Sequence, residues 1–241
     1  MGKMLADGDD AAAVFSRSYH DAMDRWPVPV TSVRVPTAYG ETHVLVCGAE
    51  TGLPVLLLPG GGATAVAWRA VAGGLSAGCR VIAVDPVGQA GFSVPGSKPL
   101  RTAADVVGWA GQLLDGLSVT RAALIGHSYG AWTALQYTLH APGRVSRLVL
   151  LDPTYCFAPL SLRYRLHAIP LLARPSACRM RRFLAWETRR RQLDEAWLAV
   201  VTAGQELGRM KIVMPRRPRP AQLAGLHVPV LVVGAGQSRG P

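Results

Sequence analysis

Charge, aromatic rings and cysteines are all sparse in this chain, and each shortage excludes something. Charged residues make up 17% of the 241 residues and aromatics 7%, against 49% hydrophobic residues. So little charge beside so much apolar side chain excludes wholesale disorder and allows one domain with a sizeable core. The four cysteines (Cys47, Cys79, Cys156 and Cys178) are widely spaced, with no Cys-x-x-Cys and no Cys/His cluster. That excludes a zinc-ribbon or disulfide framework and predicts free thiols in a reducing compartment. No apolar run approaches the roughly 18–20 residues that cross a bilayer. The first ten residues hold three aspartates and no basic-then-apolar leader, so a cytoplasmic location is expected.

What is present in excess is positive charge, and its location matters. The net charge is +11. Between Tyr155 and Gly225 stand fourteen Lys/Arg and four acids, whereas the rest of the chain balances twelve against eleven. A basic segment can bind phosphate backbones or anionic lipid. A solvated, arginine-rich lid on a near-neutral enzyme body accounts for the same charge, and no nucleic-acid-binding motif accompanies it. No nucleic-acid partner is expected.

The pattern of apolar residues alternates between two periods. A helix is expected over Ala11–Trp26, ended by Pro27 and Pro29, then a hairpin of Thr31–Val35 and Thr42–Cys47 turning at Tyr39-Gly40. Pro54–Leu58, Arg80–Val84, Arg121–Ile125, Arg147–Leu151 and Val228–Val233 read as short buried strands. Helices are expected at Val66–Leu75, from Thr102 as cap to about Leu117, and at Tyr129–His140. Strand–helix alternation of this kind predicts an α/β fold, a mostly parallel sheet with helices on both faces. The rhythm breaks over Tyr155–Gly225, where short helices punctuated by Pro159, Pro170 and Pro175 suggest an inserted cap. The expected organisation is therefore residues 1–154 as core, 155–225 as basic helical cap, and 226–241 as a return to the core.

Gly126-His127-Ser128-Tyr129-Gly130 follows an apolar strand and precedes a helix. Gly-x-Ser-x-Gly in that setting is a nucleophile elbow: the sharp turn forces the serine into a strained conformation, and the small flanking residues let strand and helix approach. Ser128 is the expected nucleophile. About 67 residues earlier (counted on the sequence), Leu58-Pro59-Gly60-Gly61-Gly62 places a glycine triplet after a strand. Such a loop can turn backbone N–H groups toward a developing oxyanion. A phosphate loop competes for this reading, but the Gly-Lys-Ser/Thr ending of a Walker motif is missing.

These two motifs, with Asp85-Pro86-Val87-Gly88-Gln89-Ala90-Gly91-Phe92-Ser93 between them, resemble the α/β-hydrolase superfamily in order and spacing. The stretches Trp26–Pro29 and Pro36–His43 are similar to the start of its bacterial carboxylesterase-like members. The resemblance spans roughly Phe15 to Ser238. It implies oxyanion donors at the amides of Gly61 and Tyr129, and that Pro59 replaces a frequent histidine without touching a backbone donor. It also implies an acid and a histidine base beyond the serine, the acid after the seventh strand in most members and the base after the eighth. Neither residue type follows Val233. Asp152, closing the sixth strand at the edge where parallel sheets place their sites, is the candidate acid; Asp85 reads as a loop organiser.

Of the six histidines, His20, His43, His140 and His227 fall away from the expected site. His127 is expected to point away from the serine's partner, and His167, in the cap, is the one that could swing over Ser128. A C-terminally truncated or frame-shifted member, lacking the last strand and helix, is the expectation that follows. The function implied is a serine hydrolase of esterase or thioesterase type acting on a small acyl ester, with neither metal nor organic cofactor. The alternative is a non-catalytic, ligand-binding homologue. Phe157, Phe183, Trp186 and Trp197 in the cap would suit an apolar acyl group, and equally the packing of helices.

Overall fold

Strict alternation of buried side chains builds the sheet. In the strand Leu53–Leu58 (β3), Val55 and Leu57 join one apolar cluster while Leu56 and Leu58 join another on the opposite face. The same division splits Val81 and Ala83 from Ile82 and Val84 in Cys79–Val84 (β4). Period-2 burial on both faces requires layers above and below. The computed structural model describes residues 2–208, 211–237 and 239.

The remaining strands are Thr31–Thr37 (β1), Gly40–Cys47 (β2), Ala122–His127 (β5), Val145–Leu151 (β6) and Val230–Val233 (β7). Their spatial order is β1-β2-β4-β3-β5-β6-β7, with the two-residue strand Val94–Pro95 pairing β2 to the side. β1, β2 and β4 are antiparallel neighbours; every pair from β4 through β3, β5, β6 and β7 is parallel. The hairpin turns where Thr37 faces Gly40, as its sequence predicts. β7 is an edge strand whose four apolar residues are all exposed.

The helices are Gly2–Met23 (α1), Arg69–Ser76 (α2), Ala103–Gly116 (α3), Tyr129–His140 (α4), Leu162–Ala173 (α5), Ala177–Glu187 (α6), Glu195–Glu206 (α7) and Pro220–Ala224 (α8). α3 and α4 cover one face of the sheet, and α1, α2 and part of α7 cover the other. Thr102 starts α3 with a reciprocal cap: its hydroxyl accepts from Asp105 N at 3.2 Å and the Asp105 carboxylate accepts from Thr102 N at 2.9 Å. That satisfies two of the donors a helix start leaves open.

Three details depart from expectation. α1 begins well before Ala11 and ends at Met23, and the helix expected over Val66–Leu75 divides into a 3-10 turn, Ala65–Trp68, followed by α2. Pro170 lies inside α5 rather than ending a helix. Its exposed position lets the unpaired carbonyl one turn earlier meet solvent, which lowers the usual cost of an interior proline. The third concerns the helical stretch between β6 and β7. α7 does not stand apart from the sheet: Ala196, Val200 and Ala203 enter the same cluster as Phe15 and Tyr19 of α1, while Val201 faces Leu171, Met180 and Leu184 of α5 and α6. All four cysteines are free.

Candidate active site

The two residues at the centre of the site end adjacent parallel strands. Ser128 follows β5 and Asp152 follows β6; Ser128 N donates to Leu151 O at 2.9 Å, and Asp152 N donates to Val233 O at 2.7 Å. Both have left-handed backbones, Ser128 at φ 51 and ψ −113 and Asp152 at φ 43. For non-glycine residues this conformation is strained and is held only where the surroundings over-determine it. At Ser128 the constraint is visible. A β-carbon on Gly130 would stand 2.0 Å from Leu58 O, and one on Gly126 would stand 2.3 Å from Gly130 O. Strand β5 and helix α4 therefore approach as closely as backbone permits, and the serine is forced out at the apex.

Ser128 directly precedes α4 and its hydroxyl makes no capping bond back to that helix. Tyr129 is the first helical residue, so its N–H has no partner within α4 and points outward at the positive end of the helix dipole. The glycine loop lies beside it: a β-carbon on Gly61 would meet Tyr129 Cβ at 3.7 Å. The neighbouring Gly62 N–H is engaged, donating to the buried Gln89 Oε1 at 2.7 Å, and Ala65 N donates to Asp85 Oδ1 at 2.7 Å. Gln89 and Asp85 thus pin the end of the glycine loop and the residues just after it. Sequence reading did not identify Gln89; a buried amide two residues before a tight glycine was its only signal.

Asp85 is fully buried and saturated. It accepts from the Tyr19 hydroxyl at 3.1 and 3.0 Å, His43 Nδ1 at 2.9 Å, Ala65 N at 2.7 Å and Phe92 N at 2.9 Å. These bonds lie behind the loop, consistent with an organising role. Burial and the Asp85 charge together push the Tyr19 hydroxyl well above its usual pKa.

Ser128 and Asp152 open into one cavity of about 390 Å³ under the helical insertion, within the size range of small-molecule sites. His127 lines it too. One side of His127 faces the solvent of the cavity, yet burial of the rest pushes its pKa below the usual histidine value, with the Asp152 charge opposing. The roof is supplied by Tyr164 of α5, Leu184 and Glu187 of α6, and Trp197 of α7. The Tyr164 hydroxyl donates to Glu187 Oε1 at 2.6 Å. Burial raises the Glu187 carboxyl above the usual range, and burial with the Glu187 charge raises the Tyr164 hydroxyl. Neither of this pair was legible as a site residue in the sequence.

The histidines are otherwise committed elsewhere. His20 Nδ1 bonds Ser16 O at 2.8 Å; His43 sits between Asp85 and Ser32; His140 and His227 are exposed at the end of α4 and just before β7. His167 does not swing over Ser128: its ring stacks on Trp186 at 4.0 Å, and its Nδ1 bonds Arg163 O at 2.9 Å. Among the described residues, no group of three or more His, Cys, Asp or Glu is arranged to hold a metal ion.

Comparison with known proteins agrees with this geometry. The family described as "alpha/beta hydrolase fold" matches residues 54–175. The chain is 31% identical over 159 residues to the carboxylesterase YbfK of Bacillus subtilis, covering 64% of this chain and 53% of that protein. It is 38% identical over 121 residues to a 2-hydroxy-6-oxo-2,4-heptadienoate hydrolase of Pseudomonas putida, covering 45% of this chain and 42% of that one. These alignments span about half the length of the carboxylesterase and less of the second hydrolase. The crystal structure of naproxen esterase from Bacillus subtilis superposes with a TM-score of 0.85 at 25% identity, covering 92% of this chain and 80% of that one. On its sheet order, its glycine-hemmed serine turn and a match across half its length, this chain belongs to the α/β-hydrolase fold family.

Proposed function

We propose that the chain is a serine hydrolase of the esterase or thioesterase type, acting on a small acyl ester through Ser128. The observation that carries this reading is the strained Ser128 backbone, set between the Gly61 loop and the first amide of α4. Ser128 Oγ attacks the acyl carbonyl carbon and gives its proton to a base, while the amides of Gly61 and Tyr129 hold the oxyanion. The alcohol or thiol leaves with a proton, and water then releases the acid from the serine. Asp152 is the acid that would orient the base. Residues 155–225 act as a cap, and its Leu184, Leu193 and Trp197 give an apolar wall to receive the acyl group.

A second reading is favoured by a specific observation: His20 Nδ1, both ring nitrogens of His43 and His167 Nδ1 bond other groups, and none of these bonds reaches Ser128. Without a base, turnover is expected to fall by roughly 10⁴–10⁶ from an intact triad. A non-catalytic homologue would retain the cavity and bind acyl esters without cleaving them. Hydrolysis of p-nitrophenyl butyrate by the chain and by Ser128→Ala separates the two. Slow product formation that disappears in Ser128→Ala supports the hydrolase. Equal rates in both proteins overturn it, and saturable ester binding without serine-dependent product supports the second reading.

A further inference from the structure

The helix that roofs the cavity has an outer face with no protein against it. On α5, Leu162, Leu166 and Ile169 follow one another by four and three residues, and a helix places such residues on one stripe. They are between 54% and 63% exposed, and Leu172 one turn further is 58% exposed. The opposite stripe, Tyr164, Ala168 and Leu171, faces the protein, and Leu171 is buried in the cluster with Met180 and Leu184. Helical geometry at 100° per residue sets Arg163 on one side of the apolar stripe and Arg165 on the other; both are exposed and neither forms an ion pair among the described residues.

We propose that α5 docks this protein on an anionic lipid surface. A lone exposed leucine needs no explanation, but three apolar residues on one stripe flanked by cations are the composition of a helix lying in a membrane interface. Arginine suits the flanks because its aliphatic stem lies along the apolar surface while the guanidinium reaches the headgroups. The partner is negatively charged because the surrounding segment is positive: fourteen Lys/Arg and four acids lie between Tyr155 and Gly225, and such segments are drawn to anionic leaflets. Attachment is peripheral, since no described helix is long and apolar enough to cross a bilayer. The inner face of the same helix carries Tyr164 into the wall of the Ser128 cavity, so a docked α5 would lie between lipid and site.

Cosedimentation with vesicles tests this without requiring activity. Vesicles of phosphatidylcholine alone are compared with vesicles containing phosphatidylglycerol, at low and high salt. The chain is expected to bind the anionic vesicles and to leave them as salt rises. Leu166→Asp/Ile169→Asp, at two exposed positions that leave the fold and circular dichroism unchanged, is expected to weaken binding at least about tenfold. Arg163→Gln/Arg165→Gln is expected to weaken it on anionic vesicles only. Ser128→Ala is expected to bind as the parent does, so failure of the hydrolase reading leaves this result untouched. Absence of vesicle binding overturns the proposal, as does equal binding by the Leu166/Ile169 variant. A parent chain that is dimeric in solution, becomes monomeric in that variant and ignores vesicles would show instead that the stripe pairs two copies.

Discussion

His43 and Asp85 lie 2.9 Å apart, Nδ1 to Oδ2, with both side chains shut away from solvent. Because Asp85 accepts, His43 Nδ1 donates, and its Nε2 bonds Ser32 Oγ at 2.7 Å. The three residues have the connectivity of a Ser-His-Asp relay, but they stand behind the glycine loop and no described cavity reaches them. Their work is structural: they fix Asp85, and Asp85 holds Ala65 N, just after the glycine loop, and Phe92 N, within its own segment Asp85–Ser93.

Replacing Asp85 tests that role. Asp85→Asn keeps the shape but sets an amide against donors, and leaves a buried network without its acceptor. The expected loss is about 3–5 kcal/mol of stability, measured by urea unfolding, with Tyr19→Phe costing about 1 kcal/mol. A change below 1 kcal/mol for Asp85→Asn would show that the loop is held by other contacts.

Two glycines of the site should respond in opposite ways. Gly130→Ala would place a methyl 2.0 Å from Leu58 O, a backbone atom with nowhere to go, whereas Gly61→Ala meets nothing closer than 3.7 Å. Gly130→Ala is expected to lose at least about 3 kcal/mol or fail to fold, and Gly61→Ala to stay within about 1 kcal/mol of the parent. Thermal unfolding of the two purified proteins reads the contrast directly.

The cavity roof should carry a pH dependence of unusual sign. A carboxyl raised in the folded state binds more protons folded than unfolded between its two pKa values. Stability from Glu187 is therefore fully present below the usual carboxylate range and is lost as pH rises through the raised folded value. Glu187→Gln removes this dependence while keeping a partner for the Tyr164 hydroxyl. Its melting temperature is expected to exceed that of the parent at neutral pH and to converge on it in acid. A variant less stable than the parent at neutral pH would contradict the burial argument.

Arg189 and Arg190 leave α6 with φ of 54 and 59, two consecutive left-handed residues that are not glycine. Arg190→Gly is expected to stabilise the protein by about 1 kcal/mol, because glycine adopts this conformation without the β-carbon clash. Denaturant titration measures it. A destabilised variant would mean that the arginine side chain contributes more than its backbone costs.

What the sequence made legible follows the range of the interactions involved. β3, β4, β5, α3 and α4 could be read because their signals are local: apolar runs, a cap at Thr102, and Gly-x-Ser-x-Gly between a strand and a helix. Ser128, Gly61 and Tyr129 are proposed on the same kind of local signal, and the structure brings the serine turn and the glycine loop together. Asp152 joins Ser128 in one cavity for the topological reason anticipated, adjacent strands ending at the same edge. The roof could not be read, since Tyr164 meets Glu187 across 23 residues and two helices. The places of His127, which lines the cavity, and of His167, held by Trp186, are set by equally tertiary contacts. The split of α7 between the main core and the insertion likewise depends on which face meets α1, which periodicity alone does not specify.

The central claim is that Ser128 is a nucleophile, although none of the described hydrogen bonds joins it to a histidine. Phosphonylation by a fluorophosphonate, with the modified peptide identified by mass spectrometry and imidazole added as a diffusible base, tests it most directly. A cavity of about 390 Å³ has room for imidazole beside the serine. The expected adduct is on Ser128, formed slowly alone and faster with rising imidazole, and absent from Ser128→Ala. An adduct on Ser32, or equal labelling of the parent and Ser128→Ala, would contradict the account.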